Sequence, residues 1–237
     1  MGSDPTLIAF SSPEQMAARL ADFVEATLDR AVAAQGLATI ALSGGSTPAP
    51  LYETLAARPV DWPNVAATLV DERFVPPSEK GSNEAFIRST FLKGFAEKSR
   101  FVGLWNRTGS LEAAATEATA RVSGLVRPFD VVVLGMGLDG HTASWFPHAE
   151  GLHAALAGDA PLVAPVRAKK SAVTGDHVER LTLSLRAVAD ARLIILMMSG
   201  AEKRAAFEKF AGGGAIEDAP VRAILRARPE IWACWAP

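Results

Sequence analysis

His141 is the residue of this chain best suited to move a proton. An imidazole has an unperturbed pKa of about 6.5, so it can act as a base near neutral pH. It ends the stretch Gly135-Met136-Gly137-Leu138-Asp139-Gly140-His141, whose glycines let a loop bend and bring Asp139 and His141 to a cleft. Asp139 is a candidate to orient the ring. A second stretch, Ser43-Gly44-Gly45-Ser46-Thr47-Pro48, could hold an anion. Gly44 and Gly45 permit a tight turn close to a ligand, Ser46 or Thr47 can cap a helix, and Pro48 suits its first position. The exposed N–H groups of such a start attract negative charge. Lys203 falls in the first turn of another helix, after Ser199-Gly200, where a cation opposes the helix dipole unless an anion is near. Asp71-Glu72-Arg73 follows a strand directly, which makes Asp71 and Arg73 candidates for the same site, and Arg88 and Arg180 are further candidates for bidentate phosphate or carboxylate contacts. Each feature also has a plain reading: a tight turn, a solvated lysine, a surface charge group, surface arginines, a structural histidine.

Several other chemistries fit poorly. Gly135, Gly137 and Gly140 match G-x-G-x-x-G, but a dinucleotide loop needs a following helix and an acidic residue about 20 positions on. Pro147 limits any helix there, and Asp159 lies in the turn-like Gly158-Asp159-Ala160-Pro161. The Gly44-Gly45 loop lacks the Gly-Lys-Ser/Thr of a Walker A motif and is not the G-x-S-x-G of a serine nucleophile. No two histidines have the spacing of a zinc motif and no Cys/His cluster exists, so no metal site is expected.

These side chains need a scaffold. The apolar runs Thr6–Phe10, Leu37–Leu42, Ala67–Val70, Asp130–Leu134, Leu181–Leu185, Leu193–Met198 and Ile231–Trp235 read as strands. Helices are expected from the Ser12-Pro13-Glu14-Gln15 start to Gly36, and over Pro48–Ala57, Ser82–Phe91, Leu111–Leu125, Glu202–Phe210 and Val221–Arg226. Alternating strands and helices imply an α/β, Rossmann-like fold: a mostly parallel sheet with helices on both faces. The four polar stretches each follow a strand, and open α/β sheets bind ligands outside the carboxyl ends of their strands. The chain is read as one domain over residues 5–237, with about 136–180 a candidate small insertion and residues 1–4 a leftover outside it.

The 237 residues, 49% hydrophobic with formal net charge -2, suffice for a sizeable core and give no nucleic-acid footprint. A single cysteine, Cys234, favours a reducing compartment. No apolar run approaches the roughly 20 residues that span a bilayer, and the start has no signal-peptide pattern. The expectation is a cytoplasmic protein with no membrane or nucleic-acid partner.

SGGSTP, DERFVP followed by SNEAFIR, and LGMGLDGHTASWFP, in this order, resemble the successive motifs of the 6-phosphogluconolactonase family. The resemblance runs from about residue 8 to residue 235 and is specific as a combination. It implies a Rossmann-like fold shared with glucosamine-6-phosphate deaminase and the ribose-5-phosphate isomerases. It implies hydrolysis of 6-phospho-D-glucono-1,5-lactone to 6-phosphogluconate in the oxidative pentose phosphate pathway, with no metal or organic cofactor and, in our reading, a monomeric enzyme. His141 would be the general base, and Arg73 and Arg88 would line the substrate site. Gly44, Gly45, Ser46 and Thr47 would cradle the phosphate together with Arg180 and Lys203. The sequence departs from the family twice. Asp176-His177-Val178-Glu179 replaces a usual proline pair before Arg180, and Trp145 stands where leucine is more usual, which implies a packing change.

Two rivals remain at this stage. An amino-sugar-phosphate deaminase also uses a histidine, but with an acidic residue soon after it, and Thr142 to Pro147 contains none. A non-catalytic sugar-phosphate sensor would keep the phosphate loop, lose the reacting groups and commonly carry an extra DNA-binding domain.

Overall fold

The computed structural model describes residues 6–237; the leftover expected at residues 1–4 lies outside them. The strands are β1 (Leu7–Ala9), β2 (Ala38–Leu42), β3 (Val65–Leu69), β4 (Asp71–Arg73), β5 (Arg100–Val102), β6 (Val131–Gly135), β7 (Val163–Arg167), β8 (Glu179–Leu183), β9 (Leu193–Ser199) and β10 (Trp232–Ala236). The helices are α1 (Pro13–Gln35), α2 (Ala49–Ala56), α3 (Asn83–Thr90), α4 (Leu111–Ser123), α5 (Leu152–Leu156), α6 (Leu185–Ala189), α7 (Ala201–Ala211) and α8 (Val221–Ala227).

Seven strands form a fully parallel sheet in the order β1-β10-β9-β6-β2-β3-β5. All five residues of β2 are buried, as a central strand covered on both faces requires. The first helix starts where its signals put it: Pro13 takes the first position and the Ser12 hydroxyl accepts from the Gln15 amide at 3.2 Å. The Gln15 side chain reaches back to the amide of Ser11, not to that of Ser12.

A second, antiparallel sheet has the order β4-β8-β7. It joins chain before residue 136 to chain after 160, so the irregular-looking middle of the sequence is built onto the Asp71–Arg73 segment. The strand expected over Leu181–Leu185 stands two residues earlier. Ser184 ends it by capping α6, its hydroxyl accepting from the Ala187 amide at 3.3 Å. β7 was not legible because Pro165 interrupts its apolar pattern. Proline is tolerated there because β7 is an edge strand: β8 is its strand partner, and on the other side only Arg167 forms a bridge, to Glu150. Trp145 is fully buried, and its indole N–H donates to the Leu183 carbonyl of β8 at 2.9 Å.

Candidate active site

β2, β3, β6 and β9 are neighbours in the large sheet, so the segments that follow them converge on one rim. Ser43 to Pro48, Asp71, Arg73, Asn83, Gly135 to Gly137, His141, Phe146, Arg180 and Lys203 line a single cavity there. Sequence-expected residues from five separate segments are thereby brought together.

The imidazole is held from one side. Asp139 Oδ1 stands 2.6 Å from His141 Nδ1 and also accepts from the His141 amide at 3.1 Å. Nδ1 is therefore committed, and no described residue hydrogen-bonds Nε2. Burial pushes the Asp139 carboxyl up, but the hydrogen bond and charge of His141 outweigh this and hold it below the usual carboxylate value. Gly137 makes the contact possible. A Cβ there would lie 2.1 Å from His141 Nδ1 and 2.5 Å from Asp139 Oδ1. The glycine spacing therefore serves a histidine–aspartate pair and not a dinucleotide. The ring also packs on Phe146, with centroids 4.5 Å apart.

Arg73 and Arg180 face each other in the register of β4 and β8. Like charges directly opposite destabilise a strand pair, so both guanidinium groups need partners. Arg180 Nε donates to the His177 carbonyl at 2.6 Å and Nη2 to that of Thr174 at 2.9 Å, and the group stands 5.4 Å over the Phe146 ring. Burial pulls its pKa down to about 10; Arg73 pulls the same way while Asp71 opposes. Arg73 Nη1 donates to the Gly81 carbonyl, but its buried Nε has no partner among the described residues. Lys203 is half-buried in the first turn of α7, and burial lowers its pKa against the opposing charge of Asp139. Three cations thus line a cavity in which Asp71 is the one lining carboxylate among the described residues. Both oxygens of Asp71 are engaged: Oδ2 accepts from the Ser144 hydroxyl at 2.6 Å and Oδ1 from Asn83 Nδ2 at 3.2 Å. This imbalance favours a small, multiply charged anion.

Two sequence expectations are corrected. Arg88 does not line the cavity. It sits in the last turn of α3, gives Nε and Nη2 to Glu84 Oε1 at 2.9 and 2.8 Å, and lies over the Phe101 ring. The i,i+4 spacing supplies that partner locally and turns the arginine away. Ser46 and Thr47 do not cap α2. The cap position is Pro48, with helical backbone and no side-chain hydrogen bond. Thr47 Oγ1 instead stands 3.3 Å from Ser199 Oγ and ties the ends of β2 and β9 together.

Residues that sequence reasoning missed build the floor. Asn83 opens α3, donates to the Asp71 carbonyl at 2.9 Å, and packs so closely that a Cβ at Gly44 would lie 2.1 Å from its Oδ1. Glu72 is fully buried and accepts four hydrogen bonds, from the amides of Arg73, Asn83 and Glu84 and from the Ser82 hydroxyl, at 2.6 to 2.9 Å. Three of these donors belong to the start of α3, where a carboxylate also meets the positive end of the helix dipole. Burial nevertheless pushes the Glu72 carboxyl up to about 7. The helix over Ser82–Phe91 was legible, and Ser82 caps it, its hydroxyl accepting from the Ala85 amide at 3.2 Å; nothing local pointed to Glu72 as the partner of its start. Among the described residues no group of three or more His, Cys, Asp or Glu side chains could hold a metal ion, and no helix is long and apolar enough to cross a membrane.

Residues 11–233 match the family model described as glucosamine-6-phosphate isomerases/6-phosphogluconolactonase. A Rhizobium meliloti (strain 1021) protein named 6-phosphogluconolactonase is 41% identical over 230 residues, 96% of this chain and 97% of that protein. A Mesorhizobium japonicum protein of the same name is 42% identical over 232 residues, covering 97% and 94%. The crystal structure of a 6-phosphogluconolactonase from Shewanella baltica OS155 superposes with a TM-score of 0.93 at 36% identity, covering all of both chains.

Glu72→Gln would place an amide N–H₂ among four donors. It is expected to cost about 1–3 kcal/mol of stability, read as a lower midpoint in urea unfolding; an unchanged midpoint would show that Glu72 does not anchor the start of α3.

Proposed function

Because the chain belongs to the glucosamine-6-phosphate isomerase/6-phosphogluconolactonase family, we propose that it hydrolyses 6-phospho-D-glucono-1,5-lactone to 6-phospho-D-gluconate in the oxidative pentose phosphate pathway. The observation that carries this reading is a histidine fixed at Nδ1 by Asp139, sharing one cavity with Arg73, Arg180 and Lys203. In this reading His141 Nε2 takes a proton from water as the water oxygen bonds to the lactone carbonyl carbon. Asp139 keeps the ring oriented and favours the imidazolium that forms. Arg73 supplies positive charge to the developing oxyanion. As the carbon–ring-oxygen bond breaks, the imidazolium returns its proton to the departing alkoxide. Arg180, Lys203 and the Gly44-Gly45-Ser46-Thr47 loop grip the phosphate, and this remote binding holds the lactone against the base. No step calls for a metal or an organic cofactor.

The deaminase alternative requires a free carboxylate to move protons between adjacent carbons. The described carboxylate lining the cavity, Asp71, has both oxygens engaged by Ser144 and Asn83, and Asp139 is bound to His141. That arrangement favours ester hydrolysis. In this reading the active unit is a single chain. The buried, unpaired Cys234 supports a reducing, cytoplasmic setting.

Assayed on freshly generated lactone with the spontaneous rate subtracted, His141→Ala is expected to lose about 10²–10⁴-fold in turnover. Near-normal turnover removes His141 from the base role, and ammonia release from glucosamine 6-phosphate by the unmutated protein would revive the deaminase. Lys203→Ala should raise KM about tenfold or more while sparing kcat; an unchanged KM makes the phosphate assignment wrong. Light scattering at assay concentration should return the mass of one 25.0 kDa chain, and a dimer mass would overturn the monomer.

A further inference from the structure

We infer that His177 is a positioning residue for the two arginines that line the cavity, its backbone holding Arg180 and its ring bearing on the glycine that holds Arg73. The inference rests on the proposed lactonase activity only in naming the group that Arg73 meets as the oxyanion formed at the lactone carbonyl.

Two contacts meet at this residue. The His177 carbonyl accepts from Arg180 Nε at 2.6 Å. On the other side its ring lies against Gly81: a Cβ built there would stand 3.0 Å from Nε2 and 3.1 Å from Cδ2. Gly81 has φ +106, a conformation that side chains rarely adopt, and its carbonyl accepts from Arg73 Nη1. The turn that holds Arg73 and the loop that holds Arg180 therefore touch through one flat side chain.

Neither arginine has a carboxylate partner at salt-bridge distance among the described residues. Carbonyl dipoles hold both, and a carbonyl is only as well placed as its loop. The loop before Arg180 is tied locally: Thr174 Oγ1 donates to the Lys169 carbonyl at 2.8 Å and Lys170 pairs with Asp176 at 2.5 Å. The Gly81 turn has fewer ties, with Glu79 and Ser82 making 2.9 and 3.2 Å backbone bonds inside it. The His177 ring is what it rests on from the β8 side. Removing the ring leaves the carbonyl of residue 177 in place, so the loss should fall on Arg73 through Gly81. An error of about an ångström in that guanidinium is enough to weaken its contact with an oxyanion, or with a carboxylate at the same carbon, substantially.

The test compares His177→Ala and His177→Phe with the unmutated protein. KM and kcat are measured on the lactone, and Kd is measured calorimetrically for 6-phosphogluconate and for inorganic phosphate. The alanine variant should lower kcat and raise the Kd for 6-phosphogluconate, whose carboxylate stands where the oxyanion forms, about three- to tenfold, with the Kd for inorganic phosphate within about twofold and the thermal midpoint little changed. Phenylalanine, which keeps a flat ring of similar size on Gly81, should restore most of both. Unchanged kcat and 6-phosphogluconate Kd in the alanine variant, an equal rise in the Kd for inorganic phosphate, or a loss that phenylalanine does not correct would each overturn the inference. If the alanine variant does not fold, normal kcat and 6-phosphogluconate Kd in the phenylalanine variant support the ring contact and weakened values refute it. If the unmutated protein hydrolyses no lactone, the lactonase proposal fails, and the 6-phosphogluconate Kd still decides the role of His177.

Discussion

Two guanidinium groups stand opposite each other across β4 and β8, and the site is organised around keeping them there. Arg73 and Arg180 are register partners, both line the cavity, and neither is neutralised by a carboxylate among the described residues. Left alone, that pairing disfavours the small sheet. Backbone carbonyls offset part of the cost, from Gly81 to Arg73 and from Thr174 and His177 to Arg180, and the Phe146 ring face offers Arg180 a further contact. What remains unsatisfied, including the buried Nε of Arg73, is a standing preference for an anion. Binding strength is thus stored as incompletely compensated charge, which an anionic substrate group can complete.

The histidine side of the cavity follows a different rule. His141 is held by shape and by one short contact. Gly137 leaves the space, Asp139 fills one ring nitrogen, and Phe146 packs against the ring. Phe146 therefore meets the imidazole and Arg180 alike. An aromatic in this position fixes the spacing between the imidazole and the cationic pocket without adding a titrating group of its own.

Between these two sides runs a continuous polar floor. Glu72 gathers the start of α3, Asn83 links that start to Asp71 and packs against Gly44, and Asp71 reaches Ser144 in the segment after His141. Thr47 and Ser199 close the rim from the other direction. A buried network of this kind is stable only when nearly all of its members are satisfied. It therefore fixes relative positions among loops that would otherwise move separately.

The amino-acid sequence alone determined the parallel α/β scaffold, because buried strands and amphipathic helices write their periods locally, in runs such as Val131–Leu134 and in signals such as Ser12-Pro13. It also determined which loop carries His141 and which carries the Gly44-Gly45 turn, since both sit directly after strands. Of the positions the motif resemblance implied, all but Arg88 line one cavity, but the resemblance could not say where each side chain faces. Tertiary structure decided that. Arg88 and Arg180 look alike in sequence, yet Arg88 finds Glu84 one turn away on its own helix, while Arg180 is turned inward by a strand pairing with residues more than a hundred positions earlier. Glu72, Asn83 and β7 were illegible because what holds each in place is not written in its own local pattern: β7 carries a proline and is held by β8 across an irregular loop, and Glu72 and Asn83 bond each other across a turn whose shape the fold sets. Burial, register and hydrogen-bond satisfaction are properties of the folded chain, and no local pattern encodes them.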